Sequence, residues 1–180
     1  FLGLALAIGF LVVLSDRPIT NRLLVTGIIT VSGGHGVLVT DICAARGLAV
    51  PQLSKDTRQK IQENLSASVQ GIASLENPVD LTGSARDDDF VAAANGLSRA
   101  TEVDCVILLL LPYSPGISSD LGARLSHVFR RENKPLVAYV PHQEKYRMLI
   151  EGFELNNVPV SSSINGAVLM VEALRRCRTC

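Results

Sequence analysis

Ser32-Gly33-Gly34-His35-Gly36 is the stretch of this 180-residue chain whose residue types best suit holding an anion. It lies between an uncharged aliphatic run at 23–31 and a pattern in which Val37, Leu38, Ile42 and Ala45 recur at helical spacing. A glycine turn between a buried strand and a helix leaves free N–H groups at the helix N-terminus, where the macrodipole favours negative charge. Glycine also lets a phosphate approach the backbone without a Cβ in the way. The same glycines suit a tight strand-to-helix turn that binds nothing, and both readings stand at this level. A second loop, Asn77-Pro78-Val79-Asp80-Leu81-Thr82-Gly83-Ser84, offers side-chain oxygens from Asp80, Thr82 and Ser84. Pro78 biases Asn77 toward an extended backbone. A third loop, Pro112-Tyr113-Ser114-Pro115-Gly116, follows the most apolar run of the chain.

The remaining groups point to less chemistry. Asp87-Asp88-Asp89 opens a helical pattern, where carboxylates complement the helix dipole, so the structural reading is preferred to a metal site. Cys177-Arg178-Thr179-Cys180 has C-x-x-C spacing, but a zinc site needs about four ligands and no second pair follows. Cys43 and Cys105 fall in apolar surroundings and read as core residues. His35, His127 and His142 show no ligand spacing. His127 reads as structural and His142 as solvated. There is no G-x-x-x-x-G-K-[ST], no third glycine of a dinucleotide fingerprint and no G-x-S-x-G elbow. No residue of this chain is therefore assigned as catalytic, and no metal site is expected.

The elements that would position these loops alternate along the sequence. Strands are expected at 23–31, 103–111 and 136–140, with a short strand or extended segment at 47–51 and a short strand at 158–160. Helices are expected from Val37 to a C-cap at Gly47, from an N-cap at Ser54 toward Asn64, from Asp87 to about Ala100, around Leu121 to Phe129, from Lys145 to Leu155, and after an N-cap at Ser163. Residues 66–76 give little signal. No hairpin pattern appears, so the fold class is α/β, with a doubly wound, mostly parallel sheet and helices on both faces. Right-handed crossovers make it flavodoxin-like, with strand order 2-1-3-4-5. Ligands of such sheets bind beyond the carboxyl ends of the strands, where all three loops would gather.

Composition narrows the partners. Lys plus Arg and Asp plus Glu each number 17, giving zero formal net charge, and there is no tryptophan. A concentrated basic face or a base-stacking platform is not expected, so nucleic acid is excluded as a partner. The sequence begins at Phe1, and its first 14 residues carry no charge. That run is shorter than the roughly 20 residues of a membrane span and lacks the basic start of a signal peptide. It reads as an apolar helix and linker (1–22) from a larger polypeptide. It is expected to pack against protein rather than lipid, and it could drive self-association. The domain proper is then 23–176, followed by a tail at 177–180, in a reducing cytoplasm.

Ser-Gly-Gly-x-Gly-Val-Leu after a strand, with Asp41 four residues on and Gly47-Leu48 closing the helix, resembles a particular family. Glu76-Asn77-Pro78-Val79-Asp80-Leu81-Thr82-Gly83 is the second matching motif. Together they resemble the second flavodoxin-like domain of NDP-forming acyl-CoA synthetases, relatives of succinyl-CoA synthetase. The same domain occurs in protein lysine acetyltransferases with a synthetase-like region. The resemblance implies a parent enzyme that joins a carboxylate to CoA using ATP or GTP with Mg, through an acyl phosphate and a phosphohistidine. It also implies that the phosphohistidine, CoA-binding and ATP-grasp elements lie in other domains or subunits. This domain alone would then bind no cofactor and would be inactive in isolation. Ser32, Gly33, Gly34, His35 and Gly36 are the implied phosphate cradle, with Asp41, Asn77, Asp80, Thr82 and Pro112 in support. The position of His35 is commonly proline in that family, and His35 is not assigned the phosphoacceptor role. Two rival readings are a ligand-sensing domain of an acetyltransferase and a binding or scaffold module without chemistry.

Overall fold

A computed structural model of the chain describes residues 24–112, 116–142 and 144–177, the side chains of 175–177 excepted. The expectations for residues 1–22 and for the C-x-x-C pair fall outside the described residues. Five parallel strands form one sheet: β1 (Thr26–Thr30), β2 (Val79–Asp80), β3 (Cys105–Leu109), β4 (Leu136–Tyr139) and β5 (Val160–Ser161). Their order is β2-β1-β3-β4-β5, as the crossover argument requires. In register, Ile28 faces Ile107 and Ile107 faces Val137. β1, β3 and β4 are buried throughout, which is why they read as unbroken apolar runs.

Among the described residues seven helices cover the two faces: α1 (Gly33–Ala45), α2 (Lys55–Gln62), α3 (Ala67–Gln70), α4 (Asp87–Arg99), α5 (Leu121–Arg131), α6 (Arg147–Glu154) and α7 (Ile164–Cys177). α1 and α7 enclose one core layer with Leu24, Ile28, Val39, Cys43, Ile107, Val137 and Val168. The other layer joins α2, α4, α5 and α6 to the sheet through Ile61, Phe90, Leu97, Leu125, Phe129 and Phe153. Cys43 and Cys105 are both buried, and burial pushes the Cys43 thiol up to about 11.

Several expected bounds are corrected. α1 starts at Gly33, not Val37, so the glycines form its first turn instead of a separate loop. Glycine weakens a helical pattern because it has no side chain to carry the periodicity and costs backbone entropy, so the pattern is visible only from Val37. Of the two readings of 47–51, short strand or extended segment, the second holds: Ala49 makes an isolated bridge to Val25 outside the named strands. The second strand comes instead from Val79–Asp80, inside the Asn77 loop. β5 is Val160–Ser161, starting two residues and ending one residue later than the expected 158–160. The unread 66–76 stretch contains the single turn α3.

Capping followed the sequence more closely. Ser54 Oγ accepts from Thr57 N at 3.1 Å and starts α2. Ser163 Oγ accepts from Gly166 N at 3.0 Å at the head of α7. Gly47, at φ 68°, ends α1. The acidic run is structural: buried Asp89 accepts from Arg86 N and Ser66 N, Asp87 accepts from Ser118, and Asp88 pairs with Arg124.

Candidate functional site

Thr30, the last residue of β1, fixes the entry to the glycine turn. Its hydroxyl donates to Ser32 O at 3.1 Å and accepts from Ser32 N at 3.0 Å. Ser32 then takes the N-cap position with an extended backbone, φ −147° and ψ 113°. Its carbonyl accepts the first helical bond, from Gly36 N at 3.0 Å. The amides of Gly33, Gly34 and His35 are left without acceptors among the described residues. They lie beyond the carboxyl end of β1 with the positive end of the α1 dipole behind them.

A Cβ on Gly34 would meet nothing within 4 Å, whereas one on Gly36 would touch Pro78 and Thr30 Cγ2 at 3.4 Å. Gly34 faces open space and Gly36 seats the second loop. His35 is half-buried, and its Nδ1 lies 3.0 Å from Ser32 Oγ. Its ring sits 6.2 Å from the Tyr139 ring, centroid to centroid, with a 32° tilt.

The second loop meets this turn through Pro78 and Asp80. Asp80 Oδ2 lies 3.3 Å from the position a Cβ would take on Gly33. Asp80 Oδ1 accepts from Thr82 N at 2.9 Å, and Leu81 N donates to Thr30 O at 2.9 Å. Thr82 adopts φ 65°, with a buried hydroxyl that finds no partner among the described residues. Asn77 turns inward. Its Oδ1 accepts from Ile28 N at 3.0 Å, and its Nδ2 donates to Thr26 O at 2.8 Å and to Pro51 O at 3.0 Å.

The other two residues expected here lie apart. Asp41 is exposed two turns along α1. Pro112 borders a cleft of about 270 Å³ shared with Lys145, Tyr146 and Met148 at the start of α6. Thr30 and Tyr139 were not singled out from sequence, and Pro78 was read only for its effect on the Asn77 backbone. A threonine closing a buried strand directly before a turn was the readable signal for Thr30. Nothing in the sequence pairs Tyr139 with His35. His127 and His142 are both exposed. A groove of about 970 Å³ runs between α2 and α4, away from the glycine turn, past Lys60, Arg99, Glu102 and Arg131. Among the described residues no cluster of three His, Cys, Asp or Glu side chains is placed to hold a metal. No helix among them is long and apolar enough to cross a membrane.

A glycine-headed helix at the carboxyl edge of β1, braced by an Asn-Pro-Val-Asp loop, defines a flavodoxin-like α/β domain. No protein-family model matches the chain. It is 34% identical over 85 residues to acetate–CoA ligase [ADP-forming] I of Archaeoglobus fulgidus, a match covering 47% of this chain and 12% of that protein. It is 35% identical over 92 residues to the alpha subunit of acetate–CoA ligase [ADP-forming] II of Pyrococcus furiosus, covering 51% of this chain and 19% of that subunit. The fold matches PH0766 from Pyrococcus horikoshii OT3 with a TM-score of 0.77 at 24% identity, over 97% of this chain and 39% of that one. It also matches the dinucleotide-forming acetyl-coenzyme A synthetase 1 of Ca. Korarchaeum cryptofilum in its apo form, with a TM-score of 0.75 at 19% identity, over 96% of this chain and 38% of that one. The resemblance carried by the two loop motifs therefore extends to curated ADP-forming acetate–CoA ligases and to the fold of acetyl-CoA synthetase structures. The chain spans well under half the length of each of these proteins.

Proposed function

We propose that this chain is one domain of an NDP-forming acid–CoA ligase, where the turn at Ser32, Gly33, Gly34, His35 and Gly36 cradles the phosphoryl group of a phosphohistidine carried by another domain. The observation that carries this reading is the set of three amides, Gly33, Gly34 and His35, without acceptors at the head of a 13-residue helix. The open space at Gly34 supports it, since an oxyanion could reach the backbone there. The sequence similarity to ADP-forming ligases supports it too, and one of the similar acetyl-CoA synthetase structures is described as a complex with phosphate and ADP. In this reading CoA, ATP or GTP and Mg belong to the other domains. The residues here supply only oriented N–H dipoles and the helix end, which stabilise charge without taking or giving a proton.

Each amide bond to a charged oxygen is worth about 1.5–3 kcal/mol when well made. A lone turn without a cationic side chain should therefore bind an anion at about millimolar Kd, equivalent to about 4 kcal/mol. Titrating sulfate into the 180-residue chain and following amide NMR shifts tests this. The expected result is shifts centred on Gly33, Gly34 and His35 that saturate in the millimolar range. Gly34→Val should abolish them while the rest of the spectrum stays in place. Silence of these amides up to tens of millimolar sulfate would make the glycines a turn and nothing more.

A further inference from the structure

The chain builds the same strand-to-helix junction twice, and the two copies differ at one contact. At the end of β1 the Thr30 hydroxyl donates to Ser32 O at 3.1 Å and accepts from Ser32 N at 3.0 Å. At the end of β5 the Ser161 hydroxyl holds Ser163 in the same way, donating to its O at 2.7 Å and accepting from its N at 3.1 Å. Each held serine heads a helix. Its carbonyl accepts the first helical bond, from Gly36 N at 3.0 Å in α1 and from Ala167 N at 3.1 Å in α7. The serine hydroxyls then diverge. Ser163 Oγ accepts from Gly166 N at 3.0 Å, the ordinary N-cap bond to the third helical residue. Ser32 Oγ makes no cap bond. It lies instead 3.0 Å from Nδ1 of His35, which is itself the third residue of α1.

We infer that His35 is a positioning residue: by holding the Ser32 hydroxyl it keeps α1 uncapped and leaves the Gly34 and His35 amides open. Gly166 has no side chain to compete for its serine, whereas the His35 ring nitrogen bonds a hydroxyl in either tautomer. The ring is flanked by that of buried Tyr139, 6.2 Å away between centroids. A Cβ at the third position is not what prevents capping. Ser54 caps α2 by accepting from the amide of Thr57, a β-branched third residue. In a capping box the third side chain reaches back to the N-cap amide, but Thr30 already occupies that amide here, and the imidazole takes the hydroxyl. A serine freed from His35 would accept from one of the two amides, as Ser163 does, and would compete with an anion for it. That consequence for anions rests on the phosphate reading; the hold on Ser32 does not.

Amide–water exchange, measured by NMR on the 180-residue chain without added anion, tests the hold. Exchange at position 34 or 35 should be about fivefold slower in His35→Ala, where the freed serine caps, than in Ser32→Ala/His35→Ala, which has no hydroxyl to cap with. Equal rates would overturn the inference. A second comparison keeps His35 in place. Ser32→Ala should leave exchange at 34 and 35 unchanged, whereas Ser163→Ala should speed that of Gly166 about fivefold. Acceleration at 34 or 35 in Ser32→Ala would show that the serine already caps, and would overturn the inference too. Sulfate titration reads the consequence, with His35→Ala expected to bind several-fold more weakly than the double variant. Where the wild-type chain binds sulfate, equal affinities in those two variants would overturn the inference. A wild-type chain silent to sulfate, with exchange slowed as expected in His35→Ala, supports the hold on Ser32 and refutes the phosphate reading alone.

Discussion

The carboxamide of Asn77 spans backbone groups of two segments, so Asn77→Ala strands the Ile28 N–H and the Thr26 and Pro51 carbonyls together. An unsatisfied buried group costs about 1–3 kcal/mol. The variant should lose about 3 kcal/mol, read as a lower urea midpoint at unchanged slope. Asp80 acts in the opposite sense. Its carboxylate beside Gly33 repels any anion arriving at the turn, so Asp80→Asn should tighten sulfate binding several-fold while its Oδ1 still accepts from Thr82 N. A weaker or unchanged affinity in the same NMR titration would count against an anion at this position. Glu102 supplies a pH dependence. Partial burial raises its pKa, but hydrogen bonds from the Thr57 hydroxyl and from Ser54 outweigh that and hold it near 2. A depressed carboxylate pKa stabilises the fold above its unfolded value near 4.5, and that contribution fades as pH falls toward 2. Glu102→Gln should flatten the stability profile in that window, as denaturant melts at several pH values would reveal. Residue types alone could not assign these roles, because a carboxamide or carboxylate in a loop holds backbone or ligand equally well.

At the scale of elements, the long buried strands and the capped helices were legible because each carries a strong periodic or capping signal. β2 was not, since two residues paired beside β1 have no periodicity of their own. The start of α1 was misplaced because its first turn is glycine-rich, and glycine neither carries the apolar periodicity nor favours a helix by propensity. α5 and α6 depend on glycine for a different reason. A Cβ on Gly122 would lie 2.2 Å from Leu149 O, and one on Gly152 would lie 2.8 Å from Ala123 N. These helices therefore touch backbone to backbone. Gly122→Ala must separate them and should cost about 1–3 kcal/mol or more, as overpacking does. Gly34→Ala, which points into open space, should shift the thermal midpoint far less. Comparable losses in the two variants would contradict the described packing.

At the scale of the molecule, alternation of strands and helices determined the sheet order, since right-handed crossovers leave few alternatives. The meeting of the glycine turn and the Asn77 loop at the carboxyl edge of the sheet was legible too, because the loops after parallel strands gather there. The partners were not legible, because the chain covers only 12% and 19% of its curated relatives. If the phosphohistidine, nucleotide and CoA elements lie elsewhere, purified 1–180 should give no acyl-CoA from acetate, propionate or succinate with CoA and ATP. Thioester formation followed at 232 nm measures this, and turnover lost on a single substitution in the chain would relocate the chemistry here.

One contact gives the molecule an internal clock. The Ile28 amide sits in the middle of β1, yet its partner is the Asn77 side chain from a loop 49 residues away. Its hydrogen–deuterium exchange therefore times the opening of that loop, not the separation of strands. If the loop swings away when another protein docks at the glycine turn, Ile28 should exchange faster while its neighbours in β1 keep their protection. A single amide, readable by mass spectrometry or NMR, would thus register events at the surface from inside the sheet.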